Sequence, residues 1–276
     1  SPPHVLQHPR RRRSHVMDAH TEYLLHLADN ALVLGQRNAE WCGHGPVLEE
    51  DIAMANISLD LIGQARLLYQ HAANRIGNGA NEDRLAYFRD ASAFRNFTLL
   101  ELPHSLGLVP GGVGERDYAV TLVRNFLYSA FMCPVWEVLS QGRDAQLAAI
   151  AAKSAKETQY HLRHAHDWLV RLGDGTDESH RRTQAALNYL YTFTQEFWLE
   201  APYEAQARSA GIAPEVTALH ADWQAQVAET LALATLAHPQ QGGPISTGKQ
   251  GLHSEHLSYL LSEMQSLARA HPGATW

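Results

Sequence analysis

DAQLAAIAAKSAKETQYHLRHAHDWLVRL, residues 144–172, is the stretch that decides the fold. Leu147, Ala151, Ser154, Thr158, His161, Ala165 and Trp168 recur at steps of three and four, the spacing that aligns side chains on one face of an α-helix. The same spacing recurs in three earlier segments. Leu24, Leu27, Ala31 and Leu34 form a seam in a helix from about Asp18 to Glu40. Met54, Ile57, Leu61, Gln64 and Leu68 form one in a helix from about Val47 to Ile76. Leu122, Phe126, Ser129, Cys133 and Trp136 form one from about Asp117 to Gln141, where Pro134 is expected to kink the helix. Four such seams predict an all-α bundle, and nothing in the chain alternates like a strand.

The breakers between the seams fit this reading. Gly43, His44, Gly45 and Pro46 make a turn, and Pro46 suits the start of the next helix. Gly77, Asn78 and Gly79 stop the second helix, and the stretch from Glu82 to Gly114 is mixed, with a loop at Pro110, Gly111 and Gly112. Gly173 and Gly175 end the helix of residues 144–172. Thr176 or Asp177 then caps a fifth helix, expected to reach about Glu200. Two more helices are expected, about Pro214–Ala237 and His253–Ala270. Between them Gly242 to Gly251 reads as a Gly-rich linker, and it and the tail ending in Trp276 read as arms.

At 276 residues and 45% apolar content, the chain can build one large core. Residues 17–276 read as a single helical domain, and residues 1–16 as a disordered basic tail before Met17. No window is apolar enough for a membrane span, and the first residues have no secretory apolar core. The net charge is −7, and four of the 22 basic residues sit in the run Arg10–Arg13, so the folded part is more acidic still. That balance argues against nucleic-acid binding. Cys42 and Cys133 read as buried thiols of a reducing cytoplasm, and without a Cys-x-x-Cys there is no thiolate metal site.

Long bundles can hold two metal ions, using a carboxylate from each of two helices and a Glu-x-x-His from each of the others. The only Glu-x-x-His here, Glu101-Leu-Pro-His104, carries a proline in a loop-like stretch and reads as a chance match. Asp177-Glu-Ser-His180 lies in a first helical turn, where acids are common. In Lys156-Glu157-Thr158-Gln159-Tyr160-His161-Leu162-Arg163-His164 the seam histidine His161 has Thr158 three residues before it. Glu157, His161 and His164 leave open a metal-dependent oxidase in its own right, but carboxylates are missing from the other seams, and a hard oxygen-activating metal needs them. Nucleophile elbows, phosphate loops and dinucleotide fingerprints are absent.

Several ordered motifs resemble a known family. They are Asp29-Asn30-Ala31-Leu32-Val33-Leu34, Glu40-Trp41-Cys42-Gly43-His44, Ala55-Asn56-Ile57-Ser58-Leu59-Asp60-Leu61-Ile62-Gly63-Gln64-Ala65-Arg66, Tyr160-His161-Leu162-Arg163 and Arg171-Leu172-Gly173-Asp174-Gly175-Thr176. They continue with Gly248-Lys249-Gln250-Gly251-Leu252-His253-Ser254-Glu255-His256-Leu257, Glu263-Met264-Gln265 and Pro272-Gly273-Ala274-Thr275-Trp276. The chain is similar, over nearly everything after about Glu22, to the PaaC-type structural subunits of phenylacetyl-CoA epoxidase (the ring 1,2-oxygenase).

The resemblance implies a ferritin-like four-helix bundle with extra helices and a C-terminal arm. It implies a cytoplasmic, non-catalytic subunit of a heteromeric monooxygenase complex in aerobic phenylacetate catabolism. The partners would be the di-iron catalytic subunit and an NADPH-dependent reductase, with self-association also possible; no nucleic acid or membrane is implied. The di-iron would belong to the partner, with no cofactor in this chain. Mapped residue by residue, the di-iron pattern falls on Ala31, Leu61, Gln64, Ser129, Thr158 and His161, a degenerate set. A weaker third idea is a CoA-binding module in which Lys249 and nearby basic residues touch the substrate phosphates.

Overall fold

The computed structural model describes residues 17–106 and 114–274. The basic tail, the loop at Pro110, Gly111 and Gly112, and Trp276 lie outside the described residues. Among the described residues the fold is all-α, with two isolated bridges and no strand. The helices are α1 (Ala19–Ala39), α2 (Leu48–Ile76), α3 (Glu82–Tyr87), α4 (Thr98–Glu101), α5 (Tyr118–Ser140), α6 (Ala145–Gly173), α7 (Asp177–Tyr191), α8 (Pro202–Ser209), α9 (His220–Leu233) and α10 (Glu255–Ala270).

Short polar side chains start three of the four long helices, α2 being led in by Val47 without a side-chain cap. Asp18 accepts the Thr21 N–H at 2.7 Å, Asp117 that of Ala119 at 2.9 Å and Asp144 that of Leu147 at 2.9 Å. Thr176 does the same for α7 through Ser179 at 3.1 Å. Each satisfies an N–H that a helix start leaves open, for about 1 kcal/mol.

Side-chain pairs give the topology. Asn38, near the end of α1, exchanges two 2.9 Å amide hydrogen bonds with Asn125, near the start of α5, while His20 at the start of α1 reaches Asp144 beyond the end of α5. Those two helices therefore run antiparallel. Along α2 and α6 the partners are Glu50 with His164, Gln64 with Glu157 and His71 with Asp144, again antiparallel. Two tight hairpins, α1–α2 and α5–α6, are thus joined by one long crossover that carries α3 and α4, the ferritin-like arrangement.

The predicted seams bury as expected on α1 and α2. Two positions differ. Trp168 is half-buried and Leu169 takes its place, and Cys133 is half-buried beside the buried Met132. A strict alternation of three and four averages 3.5 residues and drifts off a 3.6-residue turn, so the far end of the α6 seam shifts from Trp168 to Leu169. Cys42 is exposed, because it follows α1 in the turn where the chain leaves the bundle. The two thiols are therefore not both buried.

The fifth helix stops at Tyr191 rather than near Glu200. Thr192–Trp198 winds as a 3₁₀ segment, which brings Phe197 face to face with Phe131, ring centres 4.6 Å apart. Pro202 then opens α8, where Glu204 accepts the Ala201 N–H at 3.0 Å. The expected Pro214–Ala237 helix divides into a 3₁₀ turn, Val216–Leu219, and α9.

The Gly242–Gly251 segment is not simply an exposed arm. Its first half is exposed, but Gly248 and Lys249 are buried, and a Cβ on Gly248 would lie 2.5 Å from the Asn96 carbonyl oxygen. The C-terminal arm, α10, then sinks Leu257, Leu260 and Leu261 into the common core, and Gln265 donates to the Ala86 and Arg89 carbonyls. Each such leucine contributes about 1.5–3 kcal/mol.

Candidate functional site

Seen from the bundle axis, the six positions of the di-iron pattern all face inward. Ala31 comes from α1, Leu61 and Gln64 from α2, Ser129 from α5, and Thr158 and His161 from α6; none is more than 3% exposed. Their donors are one imidazole, one amide and two hydroxyls. The imidazole is engaged, since His161 Nε2 lies 2.9 Å from Asp60 Oδ2, and the Gln64 amide donates to Glu157 Oε1 at 3.2 Å. A di-iron centre calls for four carboxylates and two histidines. The residues present do not fit that group, and no chemistry can be routed through it here.

Glu157, His161 and His164, the alternative ligand trio, do not converge. They face α2 on separate partners: Glu157 on Gln64, His161 on Asp60, and His164 on Glu50, 3.0 Å from Nε2 to Oε2. Tyr118 donates to the same Glu50 carboxylate at 2.7 Å, and burial together with that bond pushes the phenol's pKa up. Burial also raises the Glu157 carboxyl, helped by the charge of Asp60. The arrangement is a polar ladder that fixes the register of α2 against α6, with each rung satisfied inside the protein.

Lys249 is also unavailable to a ligand. Its ammonium is fully buried, 2.7 Å from Glu204 Oε1 and 2.8 Å from the Leu199 carbonyl oxygen, and it lies over the Phe97 ring. The idea of a phosphate contact at Lys249 is overturned by this burial.

Glu101 and His104 do not act together. Glu101 takes His253 Nδ1 at 2.6 Å and the Ser254 hydroxyl at 2.6 Å. His104 instead donates from Nε2 to the Arg37 carbonyl at 2.9 Å, while Nδ1 accepts from Arg124 at 2.9 Å and lies 2.7 Å from the Thr121 hydroxyl. Burial holds the His104 imidazole down to about 4. His253 goes the other way: burial opposes its charge, but Glu101 and the Phe94 carbonyl on its two ring nitrogens raise it. His180, of the other acidic match, bonds the Gly173 carbonyl at 2.7 Å and so braces the start of α7 against the end of α6.

One cluster is not foreshadowed by any sequence motif. His20 Nε2 and His71 Nε2 both lie on Asp144 Oδ2, at 2.7 and 2.6 Å. Burial works to raise the Asp144 carboxyl, yet the Leu147 N–H and the two imidazoles bring it down to about 2. The three residues are separated by long stretches of chain. The one available signal is that His71 falls a full seven residues beyond Gln64 on the α2 seam side.

The sequence model of the family described as phenylacetic acid catabolic protein matches residues 7–276. One of the subunits of the 1,2-phenylacetyl-CoA epoxidase of Escherichia coli (strain K12) is 44% identical over 260 residues, covering 94% of this chain and 100% of that protein.

Proposed function

The chain belongs to the phenylacetic acid catabolic protein family, and from that premise we propose that it is a non-catalytic subunit of a phenylacetyl-CoA epoxidase complex. Its bundle supports a di-iron catalytic subunit, which epoxidises the aromatic ring of the CoA thioester with electrons from a reductase. The complex works in the cytoplasm, where its thioester substrate and NADPH are found.

One observation carries the reading. The interior positions where a di-iron bundle needs carboxylates hold Ala31, Leu61, Ser129 and Thr158, all buried, and the surviving His161 is taken by Asp60. A site that lacks its acids cannot hold two hard cations, whatever the surrounding fold. The ordered polar ladder and the capped helices support a role in which shape, not chemistry, is kept.

The test is reconstitution. The purified chain is analysed for iron and then combined with the catalytic subunit and reductase, and ring epoxidation of phenylacetyl-CoA is followed with NADPH. The expected result is no paired iron in this chain, a stable heteromer, and turnover that depends on it. Two irons per chain, or a catalytic subunit that is soluble and fully active alone, would overturn the reading.

A further inference from the structure

His20, His71 and Asp144 meet at one end of the bundle, from three different elements: the first turn of α1, the next-to-last turn of α2, and the residue that caps α6. We propose that they hold a single divalent transition-metal ion of the zinc class, which clamps the α1–α2 hairpin to the α5–α6 hairpin.

Both imidazoles present Nε2 to the same carboxylate oxygen, and one ligand atom from each residue lies within 4.8 Å of the others. Two imidazole nitrogens and one carboxylate oxygen are the set that borderline divalent ions prefer. Ligand bonds of about 2.0–2.2 Å in a tetrahedron separate the donors by roughly 3.3 Å. Each ring would therefore withdraw by roughly 0.6–0.7 Å from its present contact, a shift that side-chain rotation supplies.

The surroundings favour an ion over a plain hydrogen-bonded brace. The other carboxylate oxygen of Asp144 accepts the Leu147 N–H, so the plane of the ligand group is fixed by the helix start, as outer partners fix metal ligands elsewhere. His71 sits near the carbonyl end of α2, where a cation is favoured. The nearby Arg75 has its charge met by Asp18 at 3.2 Å, and its Nε bonds the Thr21 hydroxyl. His20 keeps 21% of its side-chain surface, against 10% for His71 and 8% for Asp144, so solvent reaches the cluster from one side and can supply a fourth ligand. The place is separate from the bundle centre: at 1.5 Å per residue, roughly 10 Å along α2 from Gln64 and roughly 20 Å along α6 from Thr158.

The experiment uses the isolated full chain, so its outcome does not depend on epoxidation. Protein stripped with a chelator is titrated with Zn²⁺ against a competing dye, and with Co²⁺ for its visible absorption. One ion per chain, a Co²⁺ spectrum of a four-coordinate site with nitrogen ligands, and a Tm that rises with metal concentration are expected. Asp144→Asn keeps the helix cap while removing the charge. It, His71→Gln and His20→Gln should each weaken binding by at least about 10–100-fold and abolish the Co²⁺ band, with helicity retained, while His238→Gln on the surface changes nothing. His20 is partly exposed, so its variant folds even if the His71 variant does not. If the wild type takes up no Zn²⁺, or if His20→Gln and Asp144→Asn bind it as tightly as the wild type, the assignment is wrong.

Discussion

A lysine ammonium taken fully out of water must be met by charge and hydrogen bonds, and Lys249 is met by Glu204 and the Leu199 carbonyl. Removing one partner leaves the other charge buried alone. Lys249→Met should therefore cost about 3–5 kcal/mol in urea unfolding, and adding Glu204→Gln should recover much of it. If the single variant is as stable as the wild type, the ion pair is not formed. Two histidines set opposite pH dependences. His104 titrates near 4 when folded and near 6.5 when unfolded, so between those values the unfolded chain binds the extra proton and stability falls as pH falls. The loss is about 3 kcal/mol at most, and His104→Gln should flatten it in urea unfolding from pH 7 down to 4. His253 is raised instead, so its contribution is full below 6.5 and is lost as pH rises through its folded value. His253→Gln should remove that part of the decline above pH 6.5.

Helix contacts decide which small residues are fixed. A Cβ on Gly173, at the end of α6, would collide with the Ala234 carbonyl oxygen just past α9. Gly173→Ala should cost about 1–3 kcal/mol in urea unfolding, whereas Gly63→Ala on α2, with nothing within 4 Å, should not destabilise. On the same α6, Thr158→Glu should not create an iron site. Ala31, Leu61 and Ser129 still offer no carboxylate, and the new charge on a buried seam costs several kcal/mol. A lower Tm with no gain of iron is expected, and retained iron with oxidase activity would show ligands hidden elsewhere. The seams of α1, α2, α5 and α6 are legible in the sequence because a periodicity near 3.6 is written into each segment by itself. Lys249 reads as free because its partner lies 45 residues away, in a helix whose start at Pro202 no sequence pattern marks clearly. The Asp144 cluster is hidden for the same reason, since His20 is 124 residues from the aspartate it meets. The 3₁₀ segment after Tyr191 depends on Phe131 of another helix, a tertiary contact that no local pattern announces.

The whole molecule keeps an ordered interior although its centre lacks the acids of a metal pair, and the α2–α6 ladder is where scaffold and enzyme readings part. If Glu157, His161 and His164 carried chemistry, each would act on substrate or metal directly, and loss of any one would lower kcat of the assembled complex. If they hold α2 against α6, loss of one leaves its partner unpaired and lowers stability, at about 1–3 kcal/mol for a buried neutral group and more for a buried charge. His164→Gln leaves the buried Glu50 with only the Tyr118 hydroxyl, whereas His161→Gln frees Asp60, whose side chain is 34% exposed and stays hydrated, so the smaller loss is expected there. Both variants should therefore give a lower Tm and less heteromer from a given amount of protein. Turnover of phenylacetyl-CoA per assembled complex should match the wild type, with KM unchanged. Size-separated heteromer assayed with reductase and NADPH distinguishes the two effects, because yield and specific rate are read from one fraction. A specific rate that drops by a factor of ten or more in folded, assembled His164→Gln complex would move the histidine from frame to chemistry and sink the scaffold reading.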